Sequence, residues 1–111
     1  MTWLTKCISK VVLRISVEPA KDTVTMRLEG KVIGPWVEEC HHAWQAIQID
    51  HGSKKLCLDL RGVSYIDDNG TELLRKIHRL SGAEVLVDSP LTRYFAERIT
   101  REIERNENEG V

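Results

Sequence analysis

The fold of this chain is decided by Leu56–Leu80, which reads LCLDL over 56–60, RGVSYIDDNG over 61–70 and TELLRKIHRL over 71–80. The first five residues form a short apolar strand. The last ten repeat apolar residues at helical spacing, with Leu73, Leu74, Ile77 and Leu80 on the expected buried face and Glu72, Arg75, Lys76 and Arg79 on the expected exposed face. Between them, Arg61–Asn69 reads as a loop, and Asp67-Asp68-Asn69-Gly70 falls where strand becomes helix. Junctions of this kind are where α/β domains place working residues. Asp67 or Asp68 can cap the helix, and Asn69 to Glu72 has the spacing of a capping box. Ser81-Gly82 closes the helix, the glycine suiting a left-handed C-cap.

Working outward, Leu13, Ile15 and Val17 alternate with Arg14 and Ser16, so Val11–Val17 reads as a half-buried strand. Thr23–Leu28 alternates again, and the polar, proline-containing Glu18–Asp22 between them makes the pair a hairpin. Gly30–Pro35 opens a helix with Pro35 at the first helical position. Trp36, Val37, Cys40, Ala43, Trp44 and Ile47 form its apolar stripe, and Gly52-Ser53 its exit. Lys54–Leu60 is apolar on both faces, as expected of an interior strand. Ala83–Val87 is a fourth strand. Asp88-Ser89-Pro90 starts a third helix whose apolar face is Leu91, Tyr94, Phe95, Ile99 and Ile103. The order β-β-α-β-α-β-α predicts an α/β fold: one domain over 11–103, with a mixed, mostly parallel four-stranded sheet, an initial hairpin and three helices. Residues 1–10 read as a lead-in or short strand and 104–111 as a polar tail.

The totals agree with one soluble domain. The chain has 111 residues, 41% hydrophobic and 30% charged, with 16 Lys and Arg against 17 Asp and Glu. A net charge of -1 offers no basic excess for nucleic acid. No apolar run approaches the roughly 20 residues of a membrane span or the core of a secretory signal, so a cytoplasmic protein without membrane insertion is expected. Cys7, Cys40 and Cys57 are odd in number and widely spaced, which fits neither a zinc site nor a disulfide framework; Cys40 and Cys57 read as buried thiols. Trp3, Trp36 and Trp44 are many indoles for one small domain, which leaves a homodimer open.

The residues offer four candidate chemistries. Asp59, Asp67 and Asp68 form a candidate carboxylate cluster, but acid–base work needs a shifted carboxyl group beside a reacting atom, and a helix cap with solvated charge is the simpler reading; no enzyme is expected. Glu38 and His42 share one helix face, yet no H-E-x-x-H or C-x-x-C pattern accompanies them, and His51 and His78 stand alone, so no metal and no cofactor are expected. No glycine-rich phosphate motif is present; small-ligand or nucleotide binding at the helix N-terminus remains an alternative on its free N–H groups alone. A short acidic loop on a helix N-terminus, with Tyr65 and Ile66 partly exposed before it, is a recognition edge.

Leu28-Glu29-Gly30-Lys31-Val32, Leu58–Gly70, Leu73-Leu74, Gly82-Ala83-Glu84-Val85 and Ser89-Pro90 resemble the STAS domain family, which includes bacterial anti-sigma factor antagonists. The resemblance runs from about Val11 to Ile99 and is most specific over Leu58–Gly70. It implies the same element order, and partner binding through Asp67, Asp68, Asn69, Gly70, Thr71 and Arg75 on the loop and the following helix. In phosphoregulated members the loop carries Asp, two small residues of which a Ser or Thr is phosphorylated, then Gly. These correspond to Asp67, Asp68, Asn69 and Gly70. Neither Asp68 nor Asn69 has a hydroxyl, so the usual site cannot take phosphate, which would add roughly two negative charges. Thr71 and Ser64, the nearest hydroxyls, lie off the motif. The implied partner is an anti-sigma factor or kinase-like protein. The alternative is an accessory subunit of an ABC-type lipid transporter docked on its ATPase.

Overall fold

Strict alternation of apolar and polar residues builds the opening hairpin. In the structure, a computed structural model that describes residues 12–100, β1 spans Leu13–Pro19 and β2 spans Thr23–Val32. The expected lead-in over 1–10, Ile103 and the tail over 104–111 lie outside the described residues. The two strands pair antiparallel, with Leu13 opposite Gly30 and Pro19 opposite Val24. Then follow α1 (Trp36–His51), β3 (Lys55–Ile66), α2 (Asp68–Ser81), β4 (Glu84–Leu86) and α3 (Pro90–Thr100). The sheet order is β1-β2-β3-β4, and the β2–β3 and β3–β4 pairs are parallel. This is the β-β-α-β-α-β-α architecture expected from the sequence.

The register sorts the side chains. Val24 lies beside Leu56 and Met26 beside Leu58, and these join Leu28 and Leu60 in the core with Cys40, Trp44 and Ile47 of α1, Leu74 and Ile77 of α2, and Phe95 and Ile99 of α3. Each fully buried Met or Leu contributes roughly 1.5–3 kcal/mol by leaving water. The alternate residues of β2 and β3 bring Thr25 beside Cys57 and Arg27 beside Asp59. β3 is therefore not apolar on both faces as expected: Cys57 is only half-buried, and the other buried residue at an alternate position is the charged Asp59.

Several boundaries and faces differ from expectation, each for a local reason. Arg61–Ile66 is strand rather than loop, because β2 runs on to Val32 and register shifts near Glu29 and Gly30 let the parallel ladder continue to Ile66. Pro35 is the residue before α1, not its first helical residue. Glu84–Leu86 is shorter than the expected fourth strand, since Ala83 turns into the core ahead of it. On α2 the buried positions are Gly70, Thr71, Leu74 and Ile77, which leaves Leu80 at the margin and 63% exposed. Arg75, expected outside, is largely covered. On α3 the buried stripe is Thr92, Phe95 and Ile99, leaving Leu91 and Tyr94 half exposed. Thr92 turns inward because its hydroxyl accepts from the backbone N–H of Ser89 (3.1 Å) while its own N–H donates to Ser89 Oγ (3.1 Å), a reciprocal cap at the start of α3.

Asp59 is 2% exposed and fully partnered. Its Oδ1 accepts from the Arg61 backbone N–H (3.1 Å) and Nε (2.9 Å), and its Oδ2 accepts from Arg61 Nη2 (2.9 Å), with Arg27 Nε at 3.5 Å. The Arg61 side-chain hydrogen bonds, against the opposing cost of burial, hold the carboxyl group below the ordinary aspartate value of 3.8. A lowered folded value means stability that is present above the unfolded pKa and lost as pH falls through the folded one. Asp59→Asn is thus expected to destabilise the fold by about 1–2 kcal/mol near neutral pH. Urea unfolding at a series of pH values checks the sign: the gap between wild type and variant narrows as pH drops below about 4. A gap that stays constant contradicts the ion-pair account.

Candidate functional site

The β3–α2 junction is built around one carboxylate. Ile66 is buried at the end of β3, and the N–H of Asp67 donates to Val32 O (3.1 Å), so the chain leaves the sheet still tied to β2. Asp67 has extended backbone angles and is the N-cap of α2. Its Oδ1 accepts from Gly70 N (2.8 Å), its carbonyl accepts from Thr71 N (2.9 Å), and its Oδ2 accepts from Gly34 N (3.0 Å). Gly34 reaches this position with φ 51°, a left-handed turn that favours glycine. The one side chain therefore caps α2 and fastens the β2–α1 turn to the β3–α2 loop. Of the candidate caps, Asp67 fills the role, and the Asn69–Glu72 box does not form because α2 begins at Asp68.

Gly70 fits for a steric reason. A Cβ there would lie 2.6 Å from Val32 O and 2.9 Å from side-chain carbons of Ile66 and Val32. The first turn of α2 is pressed against the ends of β2 and β3 at a distance only glycine allows. Thr71 is buried beside it. Asp68 and Asn69 therefore project outward, with Asp68 96% exposed and its Oδ1 3.6 Å from Arg98 Nη2.

The remaining site residues divide. Arg75 faces α3: its Nη2 donates to Arg98 O (2.7 Å) and its Nη1 to Glu72 Oε2 (2.9 Å), so it links α2 to α3 rather than standing free. Ile66 is buried, whereas Tyr65 is half exposed and meets Phe95 edge-on with ring centroids 6.4 Å apart. Tyr94 packs against the same Phe95 at 5.7 Å, and Arg98 lies over the Tyr94 ring at 5.9 Å. The sequence reading missed Gly34, Tyr94 and Arg98. Gly34-Pro35 was read only as the opening of a helix, and nothing local linked α3 to the loop.

The candidate chemistries resolve plainly. Asp59 is paired with Arg61 and Arg27, Asp67 with two backbone N–H groups, and Asp68 approaches Arg98, so the three carboxylates share no partner. Burial pushes the Cys40 thiol up to about 12, and burial followed by the charges of Glu84 and Asp59 raises Cys57, so neither is an activated thiolate. His42 and Glu38 approach to 3.6 Å on an exposed helix face, and no group of three potential metal ligands occurs among the described residues. No described helix is long and apolar enough to cross a membrane.

Solved structures share this architecture. An anti-sigma factor antagonist from Mycobacterium paratuberculosis superposes with a TM-score of 0.66 at 19% identity, over 83% of this chain and 81% of that one. The chain has a STAS-like fold. The anti-sigma factor antagonist SpoIIAA of Bacillus, in its unphosphorylated form, matches with a TM-score of 0.57 at 18% identity, over 88% of this chain and 100% of that one. A third match, Mglu, reaches 29% identity with a TM-score of 0.54, over 68% of this chain. It is a much longer protein, of which the STAS-like chain spans 19%. No protein-family model and no curated protein matches the sequence.

Two substitutions probe how the STAS-like loop is held. Asp67→Ala is expected to cost about 1–2 kcal/mol through the lost cap, with Asp67→Asn costing less because it keeps an acceptor oxygen. Gly70→Ala is expected to cost about 1–3 kcal/mol through overpacking against Val32. Denaturation midpoints report both, and a neutral Gly70→Ala would show that α2 does not need this close approach.

Proposed function

We infer that this chain is a non-enzymatic regulatory module that binds a protein partner through the Asp67–Thr71 loop and the exposed side of α2, with no phosphorylation switch at the loop. One observation carries the reading: both oxygens of Asp67 are turned inward to backbone N–H groups, and the two residues held outward, Asp68 and Asn69, occupy the phosphoacceptor positions of the family pattern without a hydroxyl. The off-motif hydroxyls are poor substitutes. Thr71 is 3% exposed, and Ser64 is on β3 with its Oγ donating to Gly30 O (3.3 Å). Thr71 is too buried for a kinase to reach, and Ser64, although exposed, is held within β3 three residues before the motif. Asp68 supplies a fixed single charge, less than a phosphate carries.

The surroundings suit a protein partner. Tyr65 and Tyr94 are half-exposed rings braced on Phe95, and braced aromatic side chains are favoured anchors in protein interfaces. Arg75 ties α2 to α3 nearby, its Nη2 donating to Arg98 O. The two anti-sigma factor antagonists of the same fold make an anti-sigma factor the first partner class to test.

Affinity capture on the immobilised chain, with identification of the bound proteins and measurement of binding to the purified partner, tests the reading. Asp68→Lys and Asn69→Lys are each expected to weaken that complex by about tenfold or more, near 1.4 kcal/mol. Mass analysis of the chain after incubation with the partner and ATP is expected to show no phosphate on residues 67–71. Unchanged affinity in both variants, or phosphate on Thr71, overturns the proposal.

A further inference from the structure

The sheet ends at β1, and among the described residues no strand pairs with the outer side of that strand. Which backbone groups it presents there follows from the pairing on its inner side. Val12 O accepts from Lys31 N (2.9 Å), Ala20 N donates to Thr23 O (2.7 Å), and the register between these two bonds runs without a shift. The even-numbered residues of β1 therefore bond to β2, and the N–H and C=O groups of Leu13, Ile15 and Val17 point outward. Pro19, which lacks an N–H, presents only its carbonyl. An open edge of this kind is a template for another strand.

The strand itself, LRISVEP over 13–19, is complementary to its own reverse. Outward-facing residues have to meet outward-facing residues, so a two-fold axis normal to the sheet must pass beside a residue rather than between two. Centred on Ser16, the axis sets Arg14 opposite Glu18 of the second copy, twice by symmetry, and Ile15 opposite Val17 of the second copy. Arg14 and Glu18 then form the non-hydrogen-bonded pairs, in which facing side chains come closest. Centred on Ile15 or Val17, the axis leaves serine facing one of the charges. Centred on Arg14 or Glu18, it brings like charges together. The charges therefore favour one register and oppose its neighbours.

The side chains are placed for that register. Arg14 is exposed, lies opposite Glu29 of β2 and forms no ion pair among the described residues. Glu18 accepts from Arg27 Nη2 (3.1 Å) through Oε1, which leaves Oε2 for a second arginine. Ile15 packs against the core, and Val17, opposite the buried Met26, is 41% exposed at the margin of the same face. Ile15 of the second copy would cover it.

We propose that two copies of this chain pair antiparallel through β1, centred on Ser16, to make one continuous sheet held by reciprocal Arg14–Glu18 ion pairs. The strand supplies only seven residues a side, against about 20–30 in a standard interface, so the dimer is weak, with a dissociation constant of about 10–100 µM. β1 contributes no residue to the Asp67–Thr71 loop, and the dimer stands whether or not that loop binds a protein.

Sedimentation velocity over a concentration series reaching about 1 mM is expected to show monomer and dimer in equilibrium. The Ile15 and Val17 amide resonances of ¹⁵N-labelled protein should shift over the same range. Arg14→Glu and Glu18→Arg each bring like charges together at both contacts and should each weaken the dimer about tenfold or more. An equimolar mixture of the two variants restores opposite charges at both contacts and should dimerise about as tightly as the parent chain. Circular dichroism checks that each variant is folded; if Glu18→Arg is not, Arg14→Glu and the amide shifts carry the test. Three results overturn the proposal: a monomer at every concentration, as when residues 1–11 cover their own edge; a dimer of full affinity in folded Arg14→Glu; or a mixture of the two folded variants that associates no better than either alone.

Discussion

The Asp67 carboxylate holds two loops in one geometry. One oxygen accepts from Gly70 inside the first turn of α2, and the other accepts from Gly34 in the turn before α1. Two of the three helices, α1 and α2, are thus referenced to the same side chain. The arrangement is compact because Gly70 lets the first turn of α2 sit against Val32 and Ile66, where any Cβ would collide. With the aspartate turned in and the glycine pressed down, Asp68 and Asn69 have only the outside left. The exposed side of the first turn of α2 is therefore a consequence of the buried half of the same motif. Substitutions at Asp68 and Asn69 leave the cap undisturbed, whereas changes at Asp67 or Gly70 alter it.

Much of this was legible in the residues. Alternation in Leu13–Val17 and Thr23–Leu28, helical spacing after Pro35, Gly70 and Pro90, and the glycine at 82 are local signals, and they fixed element order. The N-terminal junction of α2 was found from its cap residues, although which aspartate capped it depended on where the strand ended. The length of β3 was not legible. Arg61, Gly62 and Ser64 have loop-like chemistry, and only the partner ladder on β2 makes them strand. The faces of α2 and α3 were blurred for a related reason. Helical spacing identifies apolar residues but not which of them lie under the sheet, so Leu80, Leu91 and Tyr94 were misplaced while the buried, capping Thr92 was overlooked.

Asp59 illustrates a signal that was present and not used. An aspartate in an apolar strand, an arginine two residues later and another arginine on a neighbouring strand are the parts of a local ion-pair cluster. Read from the sequence, Asp59 was either part of a carboxylate cluster or, more simply, solvated charge. Seen with Arg61 and Arg27, it is a satisfied charge whose stability is conditional on ionisation. The same accounting applies across the domain: carboxylates and thiols that invite a catalytic reading are paired, capped or made unreactive by burial. Open to solvent near the junction are Asp68 and Asn69 in the first turn of α2 and the half-exposed rings of Tyr65 and Tyr94.

Amide hydrogen exchange at Gly34 and Gly70 tests the central claim most directly, since each N–H donates to a different oxygen of Asp67. The account expects both amides to be protected in the native chain and both to lose protection together when Asp67 is replaced by alanine. A Gly34 amide that exchanges freely in the native protein, or that keeps its protection in the variant, would contradict the single-carboxylate account of this site.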